Sequence, residues 1–224
     1  MTRIAAIVPM RHNSERIPGK NYRMLGGRPL YHHIIETLVQ VEEIHQVVID
    51  TDSDLIASDA REAFPGVTVL MRPQHLVDGE IPMNEVLLNT VRQLDADLIL
   101  QTHSTNPFLS STVLSAAIKS YLDGPGSCTD SIFSVTRMHA RLWTEAGTPL
   151  NHDPAVLLRT QDLPPVFLEN SCFYIFTPKL LQETGSRIGQ RPRMIEVPLH
   201  EALDIDEEAD FQLAIAVANL KGSA

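Results

Sequence analysis

The chain of 224 residues is long enough for one domain with a substantial buried core, and its hydrophobic content of 43% with 21% charged residues is that of an ordinary globular protein. The net charge of -10 argues against nucleic-acid binding, which needs an extended basic face. The apolar run at residues 4–10 is too short for a membrane span and lacks the order of a signal peptide. We therefore expect one cytoplasmic domain, residues 1–224, that binds neither nucleic acid nor membrane.

Apolar runs alternate with segments of helical periodicity over most of the chain. This alternation is typical of βα units around a mostly parallel sheet, so it predicts an open α/β fold with helices flanking the sheet. The predicted strands are 4–10, 46–52, 67–72, 97–103 and 131–137. The predicted helices are 28–41, 53–64, 83–94 and 110–122, with N-caps at Ser53 and at Ser110 or Ser111.

The pattern changes at residues 138–168, which mix short strand-like stretches with turn residues and hold no long helix. We expect a β-rich arm or lid there. The remaining elements are predicted as a strand at 172–177, a helix near 178–184, a strand at 193–198 and a last helix from about 207. Cys128 and Cys172 lie in apolar, strand-like surroundings, which favours buried thiols over a disulfide or a metal site.

Ligands of open α/β sheets bind outside the carboxyl ends of the strands. This rule places several polar stretches at one edge of the predicted sheet, and one of them contains His103. They are 11–20, 50–54, 72–73, 101–107 and 202–211.

The first of these stretches is basic although the chain is acidic. Residues 1–30 carry six basic side chains and one acid, a net charge of +5, while the rest of the chain carries -15. Arg11, Arg16 and Lys20 follow the first strand directly, where a fork of guanidinium donors and a mobile ammonium could hold a triphosphate. The spacing fits neither a Walker A loop nor a dinucleotide fingerprint. A solvated basic loop is the alternative interpretation.

The stretch "LDIDEEAD" supplies the opposite charge near the last helix. Asp204 and Asp206 are two residues apart, so on an extended segment both carboxylates point the same way and offer the oxygen ligands that Mg²⁺ prefers. The alternative is an acidic cluster that complements the dipole of the last helix. Basic and acidic groups at one edge favour nucleotidyl transfer, which needs cations around a triphosphate and a divalent metal.

Motifs along nearly the whole chain resemble those of the acylneuraminate cytidylyltransferases (CMP-sialic acid synthetases). The stretch "IVPMRHNSERIPGKN" is similar to their N-terminal signature, a strand followed by an arginine, a polar loop and IP-x-KN. Further similar stretches follow in order: "GGRPLYHHIIET", "VVIDTDSDLIA", "RPQHL", "LILQTHSTNP", "RTQDLPPVFLENSCFYIF" and "LDIDEEADF".

The resemblance implies a nucleotide-diphosphosugar-transferase-like fold and a homodimer in which the arm of one subunit reaches the neighbour's site. It implies transfer of CMP from CTP, with Mg²⁺ as cofactor, to the anomeric hydroxyl of a 2-keto-3-deoxy sugar acid such as a sialic-acid-like nonulosonate, releasing pyrophosphate. It assigns catalysis to Arg11, Lys20, Asp204 and Asp206, the last two as metal ligands. The implied nucleotide-binding residues are Arg11, Lys20, Asn21 and Arg72, the last near the base; from the loop itself we add Asn13, Ser14 and Arg16. The implied sugar-acid residues are Gln101, Gln161 and Asn170.

Three stretches depart from the family pattern. "HNSER" stands where the family has "GGSKG", "LQTHSTNPFL" replaces "LQPTSPLR", and "NSCFYI" replaces "NGAIYI". The sequence therefore does not choose the sugar acid. A KDO-type octulosonate cytidylyltransferase, another sugar nucleotidyltransferase and a non-catalytic nucleotide-binding homologue remain alternatives.

Overall fold

The computed structural model describes residues 2–124 and 129–222. Every strand and helix predicted above is present, with ends that differ by up to three residues except for the strand predicted at 172–177, which begins six residues earlier, and a short hairpin is added. The strands are β1 Ile4–Met10, β2 Met24–Leu25, β3 Arg28–Pro29, β4 Gln46–Thr51, β5 Thr68–Met71, β6 Leu98–Thr102, β7 Ser131–Met138, β8 Val166–Phe176 and β9 Pro192–Glu196. The helices are α1 Leu30–Val39, α2 Asp54–Ala63, α3 Met83–Val91, α4 Ser111–Leu122, α5 Pro178–Thr184 and α6 Glu208–Gly222. In the described ranges no helix has the length and apolar character to cross a membrane.

Side-chain caps fix the starts of two helices where the sequence predicts them. The Ser53 hydroxyl accepts a hydrogen bond from the Ile56 backbone N–H at 3.2 Å, and Ser110 accepts one from Val113 at 3.3 Å. Each cap satisfies one of the N–H groups that the first helical turn leaves without a partner. Both α2 and α4 therefore start at the carboxyl-terminal side of the strand that precedes them.

The main sheet has seven strands in the order β5-β4-β1-β6-β8-β7-β9. β5, β4, β1 and β6 are mutually parallel. β8 runs antiparallel to both of its neighbours, β6 and β7, and β9 is parallel to β7. The predicted open, mostly parallel α/β sheet flanked by helices is thus confirmed, with one long reversed strand inside it.

Helices cover both faces of this sheet. Alternate residues of β1 belong to different apolar clusters, as the two-residue period of a strand requires. Val8 packs in a cluster with α1 residues such as Ile34, whereas Ile7 packs in a cluster with α3 residues such as Leu87. Because both faces of β1 are buried, its sequence is a continuous apolar run. Its carboxyl end lies at the edge of the buried core.

A third apolar cluster lies beyond that edge. It joins the loop after β1, the β2–β3 hairpin, the loop after β6 and the start of α6, which are far apart in sequence. Burying these side chains together brings the 11–20 loop against the segment before α6. Its members are Ile17, Leu25, Leu30, Phe108, Ile205, Phe211 and Ala214.

The arm between β7 and β8 contains less strand than predicted. Between residues 139 and 165 the regular backbone pairing is one isolated bridge, Trp143 with Pro149, and one 3-10 turn, Thr160–Asp162. The prediction of a β-rich arm is wrong for this stretch. Its apolar side chains are dispersed among prolines and turn residues, which supply no alternating face to pair against.

The thiol of Cys172 is free and fully buried in β8, as the sequence predicts. Burial is the main cause that raises the pKa of this thiol, to about 12, so it remains a neutral packing group. Cys128 lies outside the described residues.

Candidate active site

The loop after β1 is shaped by a tight turn at Gly19. This glycine has a φ of +65°, and a Cβ there would lie 2.7 Å from the Tyr22 ring, so only glycine fits. The turn closes with a hydrogen bond of 3.1 Å from the Lys20 backbone N–H to the Ile17 carbonyl. Pro18 and Gly19 of the "IPGKN" stretch therefore turn the chain so that Lys20 points inward instead of into solvent.

Asn21 fastens the loop to the ends of two strands. Its amide nitrogen donates to the Arg11 carbonyl over 2.8 Å, and its amide oxygen accepts a hydrogen bond of 2.6 Å from the Ser104 hydroxyl. Asn21 is itself buried. Its amide links the loop after β1 to the loop after β6 and thereby sets the width of the cleft between them.

Lys20 is the centre of the charged cluster. It is only 9% exposed, and its ammonium donates to the Ile205 carbonyl at 2.5 Å and lies 3.6 Å from the Asp206 carboxylate. Burial lowers the pKa of Lys20, while the charges of Asp206 and Asp204 act in the opposite direction. Arg16 reaches the same Asp206 oxygen at 2.8 Å. The predicted basic loop and acidic pair thus meet in space.

Asp204 differs from Asp206 in having an unsatisfied oxygen. Within the described part of the chain its Oδ1 is buried and has no hydrogen-bond partner. Burial raises the pKa of Asp204 above its ordinary value, opposed by a hydrogen bond from Thr105 and reinforced by the charge of Asp206. A buried carboxylate oxygen without a donor is costly unless a cation or another donor reaches it.

The segment that carries this pair is irregular and does not belong to a strand. Asp210 has a separate task. Its carboxylate accepts hydrogen bonds from the backbone N–H groups of Asp206 at 3.0 Å and Glu207 at 2.8 Å. The alternative interpretation, an acidic group that complements the dipole of the last helix, therefore applies to Asp210, which caps the start of α6. Asp204 and Asp206 face the 11–20 loop instead.

These groups line a cleft of about 380 Å³ at the carboxyl edge of β1 and β6. Eight of the predicted site residues lie in its wall: Arg11, Asn13, Ser14, Arg16, Lys20, Asn21, Asp204 and Asp206. The other lining residues are Pro9, Met10, Glu15, His103, Ser104, Thr105, Ser171 and Arg187.

Arg187 is a cleft residue that the sequence reading missed. It lies between α5 and β9, donates to the Gln101 side-chain oxygen at 2.6 Å, and stacks its guanidinium 3.8 Å from the centre of the Tyr174 ring. A basic residue among the turn residues of "TGSRIG" was its only signal in the sequence. Its place in the cleft depends on tertiary packing.

His103 and Ser171 line the cleft beside Arg187. Burial, with the nearby charges of Arg187 and Lys20, lowers the pKa of His103 to about 4, so its ring is neutral at physiological pH. Ser171 holds a left-handed φ of +55°, unusual for a residue with a side chain, and its hydroxyl lies 3.0 Å from the Tyr174 hydroxyl. The family pattern has glycine at this position, and the backbone conformation gives the reason.

Arg72 is not in the cleft wall. Its guanidinium is buried in an ion pair with Asp50, Nε to Oδ1 at 2.6 Å, and its side chain is only 2% exposed. The second Asp50 oxygen accepts a hydrogen bond from Thr90 at 2.6 Å. Two donor groups of Arg72 are thus used inside the core, Nε by the Asp50 carboxylate and Nη2 by the Asp50 carbonyl, and the predicted contact of Arg72 with the nucleotide stays a prediction.

The three predicted sugar-acid residues also lie outside the wall of the cleft. Gln101 is fully buried behind it and bonds to Arg187 and His103, which do line it. Asn170 is bonded to the Thr136 hydroxyl at 3.0 Å and to the Cys172 backbone N–H at 3.2 Å. Gln161 is exposed on the arm. Direct contact of these side chains with the sugar acid stays a prediction.

Comparison with known proteins decides the family. The family model described as "Cytidylyltransferase" matches residues 5–220. The chain belongs to this cytidylyltransferase family.

Two curated relatives and one solved structure show the range of similar proteins. N-acylneuraminate cytidylyltransferase A of Danio rerio is 29% identical over 218 residues, 94% of this chain but 50% of the relative. This chain thus spans about half the length of that relative. CMP-N,N'-diacetyllegionaminic acid synthase of Legionella pneumophila is 28% identical and covered to 99% on both sides. The structure of CMP:2-keto-3-deoxy-manno-octonic acid synthetase complexed with CTP superposes with a TM-score of 0.73 at 16% identity, covering 98% of this chain and 100% of the other.

Proposed function

We propose that this chain is a CTP-dependent cytidylyltransferase that joins CMP to the anomeric hydroxyl of a 2-keto-3-deoxy sugar acid and releases pyrophosphate. One observation carries the proposal: three cations of the 11–20 loop and the Asp204–Asp206 pair face each other across one cleft at the carboxyl edge of the sheet. Family membership and the names of the relatives, each a cytidylyltransferase or CMP–sugar-acid synthase, support it.

The acidic pair fits a divalent cation. The buried Asp204 oxygen lacks a partner among the described residues, and Asp206 lies beside it with an oxygen that Arg16 and Lys20 now contact. Carboxylate oxygens are the ligands that Mg²⁺ prefers. We propose that Asp204 and Asp206 hold Mg²⁺, which when bound would neutralise charge on the triphosphate.

The chain's own cations would bind and orient the triphosphate. Arg11 lies exposed at the cleft with its guanidinium against Gly79, and no carboxylate pairs with it in the described residues. Arg16 can exchange its Asp206 contact for a phosphate oxygen, and Lys20 is held at a fixed depth by the Ile205 carbonyl. These groups stabilise the negative charge that grows on the departing pyrophosphate.

The transfer needs no protein nucleophile. The anomeric hydroxyl oxygen of the sugar acid forms a bond to the α-phosphorus in line with the leaving group, and its proton passes to solvent. The bond between the α-phosphorus and the bridging oxygen breaks, giving pyrophosphate. The protein supplies position and charge, which are the main sources of rate in phosphoryl-type transfer.

The identity of the sugar acid stays open between two classes. Relatives named for nonulosonic acids match nearly the whole chain, whereas a 3-deoxy-manno-octulosonate cytidylyltransferase of Trichlorobacter lovleyi matches 55% of it at 28% identity. We propose a sialic-acid-like nonulosonate as the substrate, with an octulosonate as the alternative.

We also propose that the protein is a homodimer joined partly through residues 138–168. This arm exposes several large apolar side chains, among them Leu157 at 90% and Trp143 at 50% exposure. Apolar surface of this kind marks a protein-protein contact more often than free surface. A second copy would cover it and could bring the exposed Gln161 towards a neighbouring cleft. A monomeric mass by light scattering at micromolar concentration would contradict this part.

The experiment for the main proposal is a pyrophosphate-release assay with CTP and Mg²⁺. The acceptors are an N-acylneuraminate, N,N'-diacetyllegionaminate and 3-deoxy-manno-octulosonate, and ATP, GTP and UTP replace CTP as controls. We expect release with CTP and a nonulosonate. Nucleotide binding, seen as a raised melting temperature, without release for any acceptor would favour the non-catalytic homologue.

A further inference from the structure

Arg187 has a charge that the proposed triphosphate site does not use. It is half-buried at the β6–β8 side of the cleft, between α5 and β9. Among the described residues its side chain forms no ion pair with a carboxylate. Its contacts are the hydrogen bond to Gln101 and the face of Tyr174.

The surroundings of this guanidinium favour an anionic ligand. Burial lowers the pKa of Arg187, although a guanidinium remains charged at any ordinary pH. Tyr174 and then the charge of Glu169 partly oppose that effect, and the Glu169 carboxylate accepts a hydrogen bond from the Tyr174 hydroxyl. A partly desolvated cation without a paired anion is costly, and a bound anion would remove much of that cost.

The guanidinium is also held in one orientation. The Gln101 amide that accepts from it is fixed in turn by hydrogen bonds to the Thr102 carbonyl at 3.1 Å and to His103 at 3.0 Å. The stacked Tyr174 ring sets the plane of the fork. Of the five N–H donors of an arginine, most remain available to a ligand, already oriented for a planar partner.

Arg187 belongs to the walls of two neighbouring clefts. Besides the main cleft it lines a second one of about 280 Å³. A ligand held by Arg187 can therefore extend away from the 11–20 loop. The other residues of the second cleft are Pro82, Met83, Asn84, Glu169, Ser186 and Ile188.

We propose that Arg187 binds the carboxylate of the sugar-acid substrate, with Gln101 and Tyr174 as its positioning residues and the second cleft receiving the rest of the sugar. This inference rests on the proposed function. A carboxylate matches a planar guanidinium with two parallel hydrogen bonds. The triphosphate already has three cations on the opposite side of the cleft, so Arg187 serves the other substrate.

The test measures KM separately for CTP and for the acids named above in the wild type, Arg187→Ala and Arg187→Lys. Arg191→Ala is the matched control, because Arg191 lies in the same connection but is exposed and 3.9 Å from Asp130. We expect Arg187→Ala to raise KM for the acid at least tenfold and to leave KM for CTP within twofold. Arg187→Lys keeps the charge without the planar fork of donors, so its KM for the acid should lie between those of the wild type and Arg187→Ala. An unchanged KM for the acid, or an equal rise for CTP, would overturn the inference.

A second experiment replaces the accepted acid with its carboxamide. The wild type should prefer the acid over the amide at least tenfold, and Arg187→Ala should lose that preference; a preference that survives in the variant contradicts the assignment. CTP-induced thermal stabilisation of Arg187→Ala shows that the variant is folded.

Titration calorimetry of the same acids separates this inference from the proposed function. If no acceptor supports turnover, the proposed function fails, yet an acid that binds the wild type and not Arg187→Ala still supports the role of Arg187. Equal binding of the acids to the wild type and to Arg187→Ala, or no binding to either protein, would contradict the role of Arg187.

Discussion

The two sides of the cleft are built in different ways. On the β1 side, the cations come from one continuous loop, residues 11–20, whose shape is set locally by Gly19 and by the burial of Ile17. On the β6–β8 side, Arg187 and Ser171 come from segments that are distant in sequence and meet only because β8 is inserted antiparallel next to β6.

The charges differ in the same way. Two of the three cations of the β1 side already have a carboxylate partner, since Arg16 and Lys20 contact Asp206, whereas Arg187 has an aromatic face and an amide but no carboxylate among the described residues. We propose that the charge-paired cluster of the β1 side exchanges its internal partners for the metal and the triphosphate, and that the single oriented cation of the other side binds a smaller anion.

The largest expected effect is from Asp204→Asn. Replacing the carboxylate removes the charged oxygen that lacks a partner, so we expect a loss of several kcal/mol in transition-state stabilisation, roughly a thousandfold in kcat. Initial rates over a range of Mg²⁺ concentrations check this. Glu207→Gln, an exposed neighbour, is the control, and near wild-type turnover of Asp204→Asn at saturating Mg²⁺ would refute the metal assignment.

Lys20→Ala tests the β1 side. We expect the transition-state stabilisation derived from kcat/KM for CTP to decrease by about 2–4 kcal/mol, which is the contribution of one oriented charged donor. Because Lys20 is buried, the variant also leaves the Ile205 carbonyl without its donor, which costs about 1–3 kcal/mol in the free energy of unfolding. Arg23→Ala is the control, because Arg23 lies outside the cleft wall and pairs with Glu208. Equal CTP dependence in both variants would move the phosphate site elsewhere.

The lowered pKa of His103 predicts a dependence of stability on pH. The unfolded chain takes up a proton near pH 6.5 and the folded chain only near pH 4, so this contribution is complete above pH 6.5 and is lost as pH falls towards 4. The change is on the order of 3 kcal/mol. Urea unfolding of His103→Gln between pH 4 and 7 should show a flatter profile than the wild type. The exposed His200→Gln should keep the wild-type profile; identical profiles for all three proteins would contradict the pKa.

The smallest expected effect is a difference in the free energy of unfolding between alanine variants of two glycines with positive φ. Gly19→Ala adds a Cβ against the Tyr22 ring as well as strain, whereas Gly147→Ala, in the arm, adds strain alone because no atom lies within 4 Å. We expect about 1 kcal/mol of destabilisation for Gly147→Ala and about 1–2 kcal/mol more for Gly19→Ala. Denaturant unfolding gives both values. Equal losses would mean that the turn at Gly19 is not sterically fixed.

The sequence predicted the β1 side well because its signals are local. Apolar periodicity located the strands and helices, and "IPGKN" with "LDIDEEAD" located the groups that the structure brings together. The burial of Lys20 was not visible, because it depends on contact with the Ile205 carbonyl far along the chain.

The β6–β8 side was predicted poorly because its geometry is long-range. Motif matches suggested Gln101, Asn170 and Gln161 as contacts, but a motif does not reveal whether a side chain ends in the cleft, behind it or on an arm. Arg72 has the same ambiguity, since a basic residue after a strand can serve a buried ion pair as well as a ligand. Arg187 has no motif around it and is found only from the fold.

The most direct measurement of the division between the two sides is steady-state kinetics of a double-mutant cycle with both substrates varied. The wild type, Lys20→Ala, Arg187→Ala and the double variant are compared for pyrophosphate release. Our account predicts that Lys20→Ala weakens the use of CTP, that Arg187→Ala raises KM for the sugar acid, and that the two effects add in the double variant. If both single variants instead weaken the use of the same substrate, the two sides of the cleft do not bind different substrates.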